Sequence, residues 1–266
     1  MSDSSEKVLE GVKEVIDGHF FTDEKVREYR YCQKRSCDEF SENPPQSFDG
    51  VALVAAMYQC IEANLYKRPI DRTPSSQNWR LRSTKDHDLR MTSGQNRSAE
   101  VRLERAIVEK WREHWNYQMP VASGLFDEHS DKRRAIDLVF DHKANHFDLV
   151  ELKIKSDTPL YAAMEILGYG LIYLASRTDR AENLKYKATD LPVLRANKVT
   201  LCVLAPEGYY AGSNLKWLQD AINDGLKHLP KLDLAINFRF EQFDFPWTSE
   251  STARDLPETL IRKLVW

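Results

Sequence analysis

The chain has little cysteine, no long apolar run and no strong bias of charge. Cys32, Cys37, Cys60 and Cys202 are the four cysteines in 266 residues. They show neither the paired spacing of a zinc site nor the density of a secreted disulfide scaffold, so reduced thiols are expected. The longest apolar stretch, VALVAAMY (51–58), is far shorter than the roughly 20 residues a membrane-crossing helix needs. MSDSSEKVLEG at the start lacks the basic and apolar regions of a signal peptide. A cytoplasmic protein with no membrane attachment is the expectation. A Gly-rich phosphate loop, a serine-nucleophile motif and a Cys-x-x-Cys pair are all missing, as are internal repeats. The histidines are scattered, and His142 with His146 reads as a polar turn.

A formal net charge of −3 does not advertise a polyanionic partner, but charge is unevenly placed. Between Tyr66 and Arg97, eight Lys or Arg face three Asp. This connector either contacts phosphate, with Arg80, Arg82, Arg90 and Arg97 as candidates, or is a solvated linker marked by Pro69, Pro74 and Gly94. With 42% hydrophobic and 30% charged residues, the rest reads as an ordinary globular chain able to bury a sizeable core.

Three regions are expected: a helical region (1–97) ending in the basic connector (66–97), a core (98–246), and a tail (247–266) with a short helix. Apolar spacing predicts helices over 5–17 and about 22–37, then a largely buried helix over DGVALVAAMYQCIEANLY capped by Asp49. SAEVRLERAIVEKWREHW (98–115) predicts an amphipathic helix whose stripe holds Leu103, Ile107, Val108, Trp111 and Trp115. Glu100 and Glu104 fall within that stripe. They are either wet first-turn residues that favour the helix dipole, or carboxylates with a purpose. A hairpin (134–155), a helix (160–175), a central strand KVTLCVLAP (198–206), a helix (214–229) and an alternating strand LDLAINFRFEQF (232–243) follow. Such a series predicts an α/β fold with a mixed sheet flanked by helices.

The hairpin RAIDLVFDHKANHFDLVELKIK carries three ionisable residues where strands prefer apolar ones. Alternation sends Ile136, Leu138 and Phe140 to one face and Asp137 with Val139 to the other. It also groups Glu151 and Lys153 with Leu149. Pairing symmetric about Ala144 makes opposed residue numbers sum to 288, which sets Asp137 opposite Glu151. Two carboxylates about 5 Å apart repel unless a cation or a shared proton intervenes. A hard divalent ion such as Mg²⁺ satisfies such a pair, and Lys153 alongside is placed to act on water or on developing charge. Alternatively, Glu-x-Lys is a weak strand ion pair. Lysine beside the carboxylates argues against a glycosidase.

In this order, AID ending at Asp137 and ELK from Glu151 to Lys153 resemble the PD-(D/E)XK nuclease superfamily. Many members place a Glu on the preceding helix, for which Glu100 is the first candidate and Glu104 the second. Many also carry Gln and Tyr on the helix after the lysine strand. Here Tyr169 matches, but Glu165 stands where Gln is usual, and no Pro precedes Asp137. Over about 98–245 the resemblance implies a restriction-endonuclease-like αβββαβ core. It implies a Mg²⁺ or Mn²⁺ site on Asp137, Glu151 and Glu100, and hydrolysis of DNA or, less often, RNA, with Lys153 acting on the water. Glu104, Glu165 and Tyr169 are accessory candidates. The expected partner is nucleic acid, DNA ahead of RNA, and a homodimer is left open. The alternatives are a non-catalytic nucleic-acid-binding or scaffolding protein, and a nuclease gated by a signal sensed in residues 1–97. Tyr209 and Tyr210 either stack on bases or simply pack.

Overall fold

The computed structural model describes residues 8–21, 30–67, 75, 77–81, 98–122, 134–177, 191–229 and 233–266. Among the described residues, six α-helices, α1 (Val12–Phe20), α2 (Lys34–Glu39), α3 (Gly50–Tyr66), α4 (Ala99–Lys110), α5 (Pro159–Arg177) and α6 (Lys216–His228), surround six strands. The strands are β1 (Trp115–Pro120), β2 (Ala135–Asp141), β3 (His146–Leu152), β4 (Lys198–Pro206), β5 (Ala235–Phe243) and β6 (Lys263–Leu264). They form one mixed sheet in the order of their numbering. Strands β1 to β3 are antiparallel neighbours, β3 to β5 run parallel, and β6 returns antiparallel.

Two apolar layers cover this sheet. One holds Ile16, Leu53, Met57 and Leu167 from the helices against Leu149, Leu201, Val203 and Phe240. The other sets Leu103 and Ile107 of α4, with Trp247 and Leu256 of the tail, against Leu138, Val150 and Leu204. β4 therefore loses water on both faces, which explains its nearly continuous apolar sequence. In α3, the Asp49 side chain accepts the amides of Val51 and Ala52, as its sequence position leads one to expect. Helix α3 crosses α6 closely enough that a Cβ at Gly225 would stand 2.6 Å from the Gly50 carbonyl oxygen, so neither position has room for a side chain.

Four local expectations are corrected. The first helix starts at Val12 because Gly11 is left-handed (φ 78°), while the Asn64 side chain donates to the carbonyls of Val8 and Glu10 and pins the preceding turn. The second helix is confined to Lys34–Glu39 among the described residues; positions 22–29 lie outside them. Helix α4 stops at Lys110, because the Lys110 ammonium donates to the Leu256 carbonyl and the Trp111 indole to that of Glu258. The chain then turns, and Trp115 opens a strand rather than extending a helical stripe. In the tail, the expected short helix is a single 3-10 turn (Ala253–Asp255) followed by β6. Among the described residues, no helix is long and apolar enough to cross a membrane.

Candidate active site

The hairpin register follows the rule of sums. Leu138 pairs with Val150, Val139 with Leu149, Phe140 with Asp148 and Asp141 with Phe147. The next pair would be Asp137 with Glu151, and there regular pairing stops. The Asp137 carboxylate instead accepts the Leu152 amide at 2.9 Å, and on the other side the β1–β2 ladder passes over Gln118 and Asp137. Gln118 is left-handed (φ 50°), a conformation that costs a non-glycine residue roughly 1 kcal/mol. This double interruption twists the strands. Ile136 and Met119 pack in the α5 layer, whereas Leu138 and Tyr117 of the same parity pack in the α4 layer. Simple alternation, which put Ile136 with Leu138, fails at this kink.

Lys153 lies just past the end of β3, with its amide donating to the Leu204 carbonyl. Its ammonium meets Glu151 at 2.8 Å, Glu165 at 3.2 Å and Asp157 at 3.5 Å, and lies 5.9 Å from the Tyr161 ring centre. From one turn further along α5, Tyr169 donates its hydroxyl to the second oxygen of Glu165. Glu165 and Tyr169 thus share a face and brace the lysine. Burial opposes the charge on Lys153, but Glu151 and Glu165 outweigh it and hold its pKa above the usual value.

The carboxyls shift the other way. Burial, then Asp137 and Glu165, push Glu151 well above the ordinary range, and Lys153 only partly offsets this. Burial pushes half-buried Asp137 up to about 6, against the Leu152 amide and Lys153; Glu151 is also its hydrogen-bond partner. Glu104 is buried and pushed well up, by burial first and by Asp137 second, although the Gln118 side-chain amide donates to it at 2.7 Å. One ammonium does not offset the burial and mutual repulsion of Glu104, Asp137 and Glu151, and all three carboxyls therefore bind protons more readily than free ones.

Glu100 is placed differently from the first expectation. One of its oxygens accepts from the amides of Ile154 and Ser156 and from the Ser156 hydroxyl, and these bonds hold its pKa low despite burial. It therefore fastens the loop after β3, and Glu104 is the glutamate that faces Asp137. Asp137, Glu151 and Glu100 do not come within 4.8 Å of one another as a trio. Gln118, Asp157, Tyr161 and Tyr209 complete the surroundings and were not singled out for this site by sequence. Tyr209 feels Lys153, Asp157 and Glu100, and its buried hydroxyl has no hydrogen-bond partner among the described residues. Only Asp157 carried a usable signal, as an acid four positions after a strand-end lysine. Arg80 is exposed, whereas Arg82, Arg90 and Arg97 lie outside the described residues.

The donor set is oxygen only, buried, and short of positive charge, which fits a hard divalent ion such as Mg²⁺ or Mn²⁺. Asp137 and Glu151, which share a hydrogen bond, and Glu104, which faces Asp137, are the side chains that would hold it, and their oxygens, like those of the Glu100 trio, would have to draw together from beyond 4.8 Å to do so. No family model, curated protein or solved structure matches the chain.

Proposed function

We propose that the protein is a divalent-cation-dependent nuclease built on a restriction-endonuclease-like core, acting on DNA in preference to RNA. The observation that carries this reading is the Asp137–Glu151–Lys153 constellation: two carboxyls whose pKa values burial raises, Asp137 to about 6 and Glu151 well above the ordinary range, beside a lysine held charged at 2.8 Å from Glu151. The order helix, three strands, helix, strand from Ala99 to Pro206 is in keeping with the αβββαβ core that the motif implies. When bound, Mg²⁺ or Mn²⁺ would supply Lewis-acid polarisation of a phosphate oxygen and lower the pKa of a water.

The chain's own groups do the rest. Asp137 and Glu151, in their ionised forms, would hold the cation, with Glu104 as the third carboxyl in place of Glu100. Because Glu151 and Glu165 keep Lys153 protonated, it serves as a fixed positive charge against the anionic transition state and as a donor that orients water, rather than as a base. Tyr169 and Glu165 set the position of its ammonium. The stacked pair Tyr31 and Tyr161, with centroids 5.8 Å apart and planes 7° apart, brings the amino-terminal region next to this lysine. That contact favours the gated form of the reading, in which residues 1–97 control access.

Linear, circular and single-stranded DNA and RNA incubated with the metal-free protein and then with Mg²⁺ or Mn²⁺ test the proposal. Cleavage of at least one substrate, dependent on the cation and abolished by chelation, is expected. Intact substrates under every condition, with Mn²⁺ bound, would favour the non-catalytic alternative.

A further inference from the structure

Opposite the candidate active site, at the turn end of the same hairpin, a second polar cluster lies on the other face of β3. His142 and His146 flank a turn in which Lys143, Ala144 and Asn145 are all left-handed. Their rings stack with centroids 3.9 Å apart and planes 4° apart. Each presents Nε2 to the fully buried carboxylate of Asp148, His142 at 2.9 Å to one oxygen and His146 at 3.5 Å to the other. Nothing in a polar turn requires two parallel imidazoles to converge on one carboxylate.

Asp148 is divided in its bonding. Oδ2 takes the guanidinium groups of Arg262 at 2.6 Å and Arg239 at 3.2 Å, as well as His142. Its other oxygen, Oδ1, is buried with no hydrogen-bond partner among the described residues, and so is His146 Nε2 beside it. Buried polar atoms are almost always satisfied, so two facing orphans call for a missing partner. A proton on His146 Nε2 would not supply a good one, because the 3.5 Å separation is long for a charge-assisted bond. Donor atoms of His142, His146 and Asp148 all lie within 4.8 Å of one another, and no other such trio exists among the described residues.

We infer that His142, His146 and Asp148 form a site for a divalent transition-metal ion, zinc before its neighbours. Two imidazole nitrogens and one carboxylate oxygen make the three-ligand set of an open zinc site, and they are too soft a set for Mg²⁺. Arg239 and Arg262 do not block it. They occupy the other carboxylate oxygen, and Glu241 balances them by meeting Arg239 at 2.7 Å and Arg262 at 3.3 Å. Their charge makes the site weaker than an all-thiolate one, and their bonds fix the carboxylate as a ligand-orienting shell does. Both imidazoles keep part of their surface in solvent, which leaves a route for the ion. Bound zinc would fasten the left-handed turn to β3.

The inference is independent of the nuclease reading and is tested on the full chain with Zn²⁺ and Co²⁺ as probes. One equivalent of Co²⁺ should give visible d–d absorption that Zn²⁺ displaces and excess Mg²⁺ does not. His146→Ala should weaken binding at least about tenfold, while Glu151→Gln leaves it unchanged. If the His146 variant does not fold, X-ray absorption of the zinc-loaded wild-type chain replaces it, and a shell containing two imidazoles is expected. Absence of a bound equivalent, equal binding by the folded His146→Ala protein, or an all-oxygen shell would overturn the site.

Discussion

Asp137→Asn is expected to make the metal-free protein more stable at pH 8 while removing Mg²⁺-dependent cleavage. Asp137 titrates near pH 6 in the fold, above its ordinary 3.8. Raised carboxyl pKa values mean that the folded state holds a proton the unfolded chain has released. Stability is therefore unaffected below pH 4, falls as pH rises from about 4 to 6, and stays reduced above that. A shift of that size corresponds to about 3 kcal/mol. Asp137 keeps part of its surface in solvent, so a gain of about 1–3 kcal/mol from the amide is the reasonable range. Asparagine still offers an oxygen to the Leu152 amide, so the backbone contact survives. Urea unfolding of both proteins from pH 4 to 8 checks the sign: the curves should coincide near pH 4 and separate by pH 7. Activity should drop by about 10³-fold, the scale on which a precisely placed electrostatic group acts. A variant less stable than wild type at pH 8 would mean that Asp137 is a structural acceptor, not a strained ligand.

Lys153→Met should produce the largest loss of stability of any single change at the site. Methionine keeps the aliphatic volume but removes the one ammonium shared by Glu151, Glu165 and Asp157. Removing one partner of a buried ion pair typically costs about 3–5 kcal/mol. Lysine's own titration does not enter, because a raised folded pKa leaves its contribution fully present below about pH 10 and lost only as pH rises through the folded value. Glu151 does enter: burial holds its pKa well above the ordinary range, so the deficit should be smaller at pH 5 than at pH 8, where it should be largest. Denaturant midpoints at the two pH values measure this, and cleavage should fall by at least about 10²-fold even where the mutant is folded. An equal stability loss at pH 5 and 8 would assign Lys153 to packing alone.

The register of the hairpin was legible because turn length and parity fix it: the chain reverses through HKANH, and residues 138–141 pair with 150–147 at sums of 288. The central strand β4, the capped helix α3 and the face shared by Glu165 and Tyr169 were equally readable from local patterns. The kink at Asp137 was not, because it depends on Gln118 adopting a left-handed backbone with no Gly or Pro to announce it. Strand β1 was hidden for a related reason: Trp115 continues the helical stripe of α4, and only the long-range bonds from Lys110 and Trp111 to residues 256 and 258 end that helix. The same shortfall hides which of Glu100 and Glu104 faces Asp137. Both sit on the apolar stripe, and the choice depends on the loop after β3, whose amides capture Glu100. The histidine pair read as a loop because its third member, Asp148, lies within an apolar strand and its role emerges only from the fold.

Calorimetric titration of Mn²⁺ into the metal-free protein at pH 8, alongside Glu151→Gln, decides whether these carboxyls hold a cation. Binding to the wild-type chain with release of protons to the buffer is expected, as the carboxyls with raised pKa values exchange hydrogen ions for the metal, with at least about tenfold weaker binding by the variant. Binding that is undetectable at millimolar Mn²⁺, or that Glu151→Gln leaves unchanged, would contradict it.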